Sequence, residues 1–186
     1  MPPTTSRAAV PSFANPLQLR RRARASLEPG AVTDSYRGDR EAVLRFLNEA
    51  LATELVCALR YRRHHFMARA LASRRIAEEF LVHSDEELAH ADLLADRIVQ
   101  LGGEPDFSPG TFKERSPSAC VPVNSLLEMI NQNLVAERIA IDTYRDLVAY
   151  VGENDPTTRR MLEGILGVEE AHADELVDLL QDNKAS

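Results

Sequence analysis

The chain has 186 residues, 44% of them hydrophobic and 27% charged, with a formal net charge of −7. That is material for one domain, and no apolar run of about 18 residues and no basic segment leading into an apolar one occurs. A membrane span and a secretory signal are thereby excluded, and the cytoplasm is the default compartment. The two cysteines, Cys57 and Cys120, form no Cys-x-x-Cys pair, which argues against a structural disulfide, a zinc ribbon or a rubredoxin-type module.

Residues 1–27 carry Arg7, Arg20, Arg21, Arg22 and Arg24 and no acid, leaving 17 basic against 29 acidic residues in the rest. With Pro2, Pro3, Pro11 and Pro16 breaking any periodicity, residues 1–37 read as a flexible arm. Three readings stay open: a bare tail, an arm that binds nucleic acid by neutralising phosphates, or an Arg-rich, acid-poor organelle transit peptide.

From about Gly38 to Ala70, Leu44, Leu47, Leu51, Ala58 and Tyr61 recur at helical spacing, and Glu54 falls on their stripe. A carboxylate facing a core must be protonated, paired or metal-bound. Cys57 and His65 lie near the same face and read as packing residues. After a tight reversal at Ala72-Ser73, the second helix (about 73–101) presents Ile76, Phe80, His83, Glu87, His90, Leu94 and Ile98, with Gly102-Gly103 closing it. His83, one turn before Glu87, is the one residue that could add a ligand or an outer contact.

Residues 102–123 hold four prolines and three glycines and read as non-helical. Such a 22-residue segment can reach about 70 Å when extended, against about 40 Å for a neighbouring helix of nearly 30 residues. It can therefore cross the whole bundle and start the third helix at the far end. That helix, about Ser125 to Val151, aligns Leu126, Ile130, Leu134, Glu137, Ile141, Tyr144 and Val148. A turn at residues 152–155 follows, with Asp155 as cap and Pro156 in the first turn of the fourth helix. The fourth helix continues through Leu162, Ile165, Glu169, His172, Leu176 and Leu179 to about residue 182, before a polar tail over 183–186.

The two halves repeat. Glu87-Leu88-Ala89-His90-Ala91-Asp92 aligns with Glu169-Glu170-Ala171-His172-Ala173-Asp174, 82 positions on. Glu54 precedes Glu87 by 33 residues and Glu137 precedes Glu169 by 32, while Tyr61 and Tyr144 each follow their glutamate by seven. In a helix, residues three apart share a face, so each Glu-x-x-His pair can grip one metal ion.

Over residues 38–182 this pattern resembles a bacterioferritin-type member of the ferritin-like superfamily, an all-α four-helix bundle with one long crossover between its second and third helices. The resemblance implies Glu54 and Glu137 as terminal carboxylates, Glu87 and Glu169 as bridging carboxylates, and His90 and His172 as one imidazole per iron. It also implies a ferroxidase that oxidises Fe(II) with O2 or H2O2 for iron storage or detoxification, with Tyr61 placed to supply an electron or a hydrogen bond and Tyr144 as its counterpart. Manganese suits the same ligands. The rival readings are a rubrerythrin-like peroxidase, a manganese catalase and a DNA-protecting mini-ferritin acting through the arginine arm. The missing rubredoxin cysteines count against the first. Bacterioferritins bind haem through a methionine following the bridging glutamate of the second helix; Leu88 stands there, so no such haem is expected, and Met67, Met129 and Met161 would be the remaining candidates. No fifth helix fits after the fourth, which implies a dimer or a twelve-subunit shell.

Overall fold

The computed structural model describes residues 15–25, 27, 30–118 and 121–185, with backbone alone at 184 and 185. Cys120, expected in the crossover, and the first 14 residues of the expected arm lie outside the described residues. The elements are α1 (Pro16–Ala25), α2 (Arg40–Ala70), α3 (Arg74–Gln100), a 3-10 turn (Pro109–Thr111), α4 (Phe112–Arg115), α5 (Leu126–Val151) and α6 (Pro156–Ala185).

The four long helices begin and end on local chemistry. The Asp39 carboxylate accepts the Ala42 amide at 3.1 Å to cap α2. Ser125 and Glu128 form a reciprocal capping box on α5. Between α2 and α3 the chain reverses over Ala72, whose φ of 59° is the left-handed closing residue that a glycine more often supplies. Antiparallel pairs α2–α3 and α5–α6 then join through α2 against α5 and α3 against α6.

The core is split in two. One apolar cluster holds Leu47, Leu51, Leu94, Ile98, Leu147 and Leu162, and the other holds Tyr61, Phe80, Met129, Ile130 and Leu176. Each buried aliphatic side chain contributes about 1.5–3 kcal/mol, so both halves have their own source of cohesion. Along every long helix, the positions between the halves are ionisable.

The crossover does what its length allows. Asn48, near the start of α2, binds it through the Glu104 carbonyl at 3.2 Å and the Asp106 amide at 2.8 Å. Arg63, near the other end of α2, donates to the Val123 carbonyl at 3.3 Å. The expectation of no helix here is corrected: Pro109–Arg115 turns through the 3-10 turn and α4, pinned where Arg115 donates to the Asn48 carbonyl at 2.8 Å.

The ends also differ from expectation. Residues 16–25, expected to lack periodicity, form α1, because Pro16 sits in its first turn and the Asn15 side chain accepts the Leu17 amide at 2.9 Å; none of its residues is buried. Val32 and Tyr36 pack on the core, so the folded unit starts before residue 38. At the other end α6 runs on to Ala185, through most of the expected tail.

One carboxylate ties three segments together. Asp155 caps α6 at the Thr158 amide (2.9 Å), accepts both Arg97 Nη2 contacts from α3 (2.8 and 2.9 Å) and accepts the Tyr36 hydroxyl at 3.0 Å. Burial works against its charge, but these donors outweigh it and hold its carboxyl below the usual range. Asp155→Ala leaves Arg97 buried without its ion partner, and we expect a loss of about 3 kcal/mol, measured by chemical denaturation.

Candidate metal centre

Between the two apolar clusters, Glu54 from α2, Glu87 and His90 from α3, Glu137 from α5, and Glu169 and His172 from α6 meet in one layer, none more than 5% exposed. Ligand atoms of Glu54, Glu87, His90 and Glu169 all lie within 4.8 Å of one another, and so do those of Glu87, Glu137, Glu169 and His172. The two sets share Glu87 and Glu169. His90 Nδ1 is 2.9 Å from Glu169, 3.5 Å from Glu54 and 3.7 Å from Glu87. His172 Nδ1 is 3.8 Å from Glu87 and 3.9 Å from Glu169.

Buried polar atoms are almost always hydrogen-bonded. Here Glu54 Oε2, Glu87 Oε1, Glu137 Oε2, both Glu169 oxygens, His90 Nδ1 and His172 Nδ1 have no hydrogen-bond partner. Even the short His90–Glu169 approach lacks the alignment of a bond. So many inward orphans in one layer is the arrangement a pair of divalent cations would satisfy, with four carboxylates balancing two such charges.

The outward atoms are held. Tyr61 donates to Glu137 Oε1 and Tyr144 donates to Glu54 Oε1, each tyrosine reaching across to the other hairpin. Their second oxygens are the unpartnered ones, so each phenol decides which oxygen faces the layer. Burial, reinforced by the adjacent carboxylates, pushes both phenols well above their ordinary value and keeps their protons on. On the opposite side of its ring His172 Nε2 contacts Glu86 at 2.8 Å, which leaves Nδ1 to face inward.

The carboxylates divide by environment. Burial, followed by the charges of Glu54, Glu169 and Glu137, raises Glu87 well above its ordinary 4.5. Burial and the Glu54 and Glu137 charges raise Glu169 likewise. Glu54 feels the same burial, but contacts with Glu87, His90 and Tyr144 outweigh it and hold it below the ordinary range. Burial lowers His172 and favours its neutral form, the form that binds metal.

Sequence reasoning placed all six residues on inward stripes and missed their supports. Glu86 and Glu175 look like ordinary exposed acids until α6 lies beside α3, where Glu175 reaches His83 Nε2 at 2.8 Å. Arg60 gave no signal either, yet it is fully buried, donating to Asn133 at 3.2 Å, Ser118 at 2.6 Å and the Cys57 sulfur at 3.0 Å. Cys57 thus packs as expected but within a polar network, and burial pushes its thiol up to about 11. His65 is satisfied by the Ala77 carbonyl at 2.6 Å.

Two antiparallel hairpins around a buried carboxylate–imidazole layer are the architecture of ferritin-like four-helix bundles. Residues 44–185 match the model of the Ferritin family's ferritin-like domain, and the chain belongs to that family. It is 32% identical to the bacterioferritin of Mycobacterium avium over 145 residues, 77% of this chain and 86% of that one. It is 32% identical over 148 residues to the bacterioferritin of Streptomyces coelicolor, 77% and 84% of the two chains. A solved dodecameric thioferritin, the bacterioferritin-related protein from Bacteroides fragilis, superposes with a TM-score of 0.75 at 29% identity, covering 80% of this chain and 89% of that one. Among the described residues no helix is long and apolar enough to cross a membrane.

A raised carboxyl favours folding below the unfolded value of 4.5 and opposes it as pH climbs toward the folded value. In chelator, Glu87→Gln should therefore melt higher than the parent at pH 8, with the gap closing toward pH 4.5; equal thermal melts at pH 8 would contradict the assignment.

Proposed function

We propose that this ferritin-like protein is a ferroxidase, binding two Fe(II) ions per chain and passing their electrons to O2 or H2O2 for iron storage or detoxification. The observation that carries the reading is the layer of unpartnered carboxylate oxygens and imidazole nitrogens, divided into two ligand sets that share Glu87 and Glu169. Glu54 and His90 would hold one iron and Glu137 and His172 the other, with Glu87 and Glu169 common to both sets. Each Fe(II) gives one electron. The pair, with two protons, reduces dioxygen to hydrogen peroxide, or peroxide to two waters.

The protein's part is to hold and to balance charge. Tyr61 and Tyr144 orient Glu137 and Glu54 through their hydroxyls, which is the role we give Tyr61. Glu86 fixes the His172 ring. The raised carboxyls of Glu87 and Glu169 release protons as cations arrive, so the layer is never left with four uncompensated charges. Leu88 is exposed on α3 and offers no sulfur, so we propose no bacterioferritin-type haem at this position.

Protein loaded anaerobically with Fe(II) should hold two irons per chain, and Glu87→Ala or His172→Ala should abolish fast oxidation in stopped flow; variants that oxidise Fe(II) at the parent rate would refute the reading. On assembly, we propose a twelve-chain shell like that of the Bacteroides fragilis relative, which would give oxidised iron a cavity. Light scattering should return a mass of twelve chains; a dimer would limit the role to oxidation or peroxide removal.

A further inference from the structure

The internal repeat should make the two ends of the metal layer alike, and they are not. Beside His172, the seam between α3 and α6 carries Glu79, His83 and Glu175. Shifted by the repeat of 82 positions, these correspond to Met161, Ile165 and Leu93. Those three line an apolar groove of about 630 Å³ beside His90, together with Val168, which stands where the first half has Glu86. At these four pairs of counterpart positions one seam is polar and the other apolar, although the groove also takes in Thr157 and Arg160 at its rim.

The polar seam has the geometry of a ligand set. Glu79, His83 and Glu175 present ligand atoms within 4.8 Å of one another. His83 Nε2 lies 2.8 Å from Glu175 and 3.7 Å from Glu79. With metal–ligand bonds of about 2.1 Å, neighbouring ligand atoms stand about 3–3.4 Å apart, between those two distances. Exposure is graded: the Glu175 side chain is 51% exposed, Glu79 36% and His83 0%. His83 also points onward. Its ring stacks on His172 with centroids 4.1 Å apart, it shares a second ligand set with Glu137 and His172, and its Nδ1 is buried without a hydrogen-bond partner. A fully buried imidazole therefore joins two solvent-facing carboxylates to the inner layer.

We propose that Glu79, His83 and Glu175 form a separate site for a divalent first-row cation, which loads the inner layer from solvent through the α3–α6 seam. This rests on the reading of the inner layer as a metal pair. Two carboxylates match the charge of one divalent ion, and the mixed oxygen and nitrogen donors suit Fe(II), Mn(II) or Co(II). On binding, the cation takes the Nε2 lone pair of neutral His83, whose one ring proton then sits on Nδ1, and the contact between Nε2 and Glu175 gives way to two metal–ligand bonds. The short step from His83 to the Glu137–His172 set then carries it inward.

The test uses Co(II) as probe, with anomalous diffraction from cobalt-soaked crystals of the full chain. The parent should show the inner pair and a third position at the triad, and Glu79→Gln/Glu175→Gln should lose the third while keeping the inner pair. Both substituted side chains are solvent-facing, so unchanged thermal melts will confirm folding. In stopped flow the double variant should oxidise sub-saturating Fe(II) several-fold more slowly than the parent. An inner pair without the third position, a third position that survives the double substitution, or an unchanged rate at low Fe(II) overturns the proposal. Absence of the inner pair in the parent instead refutes the ferroxidase reading, so the two failures are distinct.

Discussion

Four carboxylates and two imidazoles in the middle of a helical bundle are the constraint on which the rest of the structure depends. A charged group without compensation in such a place costs several kcal/mol, and this layer sits where Leu51, Leu94 and Ile130 would otherwise continue one core. The bundle meets the cost by placing an apolar cluster on either side and by leaving Glu87 and Glu169 inclined to keep their protons. Cohesion thus comes from the two ends and chemistry from the middle. The same division accounts for helices of 26 to 31 residues, since each must supply apolar turns on both sides of its ionisable one.

The layer is held from outside by groups that face away from it. Tyr61 and Tyr144 cross between hairpins, so each half orients a carboxylate of the other, and neither glutamate is positioned by its own helix pair alone. Further out, Arg97 with Asp155 and Arg60 with Asn133 and Ser118 tie α3 to the α5–α6 turn and α2 to α5 and the crossover. Both guanidiniums spend every nitrogen on neighbouring polar groups. Buried networks of that kind are costly when incomplete, which makes them rigid supports for the layer.

The repeat supplied two copies of one hairpin, and the differences between the copies are as informative as the likeness. Glu86 buttresses His172, while Val168 stands in the corresponding place beside His90. His83 and Ile165 differ in the same sense. A layer built alike from both halves is therefore flanked by two unlike surroundings, one polar and graded in exposure, the other largely apolar.

The sequence by itself determined the helices, their inward stripes and the six residues of the layer. All of these are local properties: apolar spacing of three and four, caps at Asp39, Ser125 and Asp155, and an ionisable pair recurring on one face. It also determined the crossover, because 22 residues rich in proline and glycine had to span a bundle. Helix α1 and α4 escaped it, since each is short and owes its form to an asparagine cap or an arginine anchor rather than to a stripe. Only the tertiary structure decided which tyrosine meets which glutamate, that Arg60 is buried, and that Glu86, Glu79 and Glu175 belong with the histidines. The long-range contacts join residues 58 to 92 positions apart, and nothing in the spacing along one helix reports which exposed acid of a neighbouring helix will lie beside it.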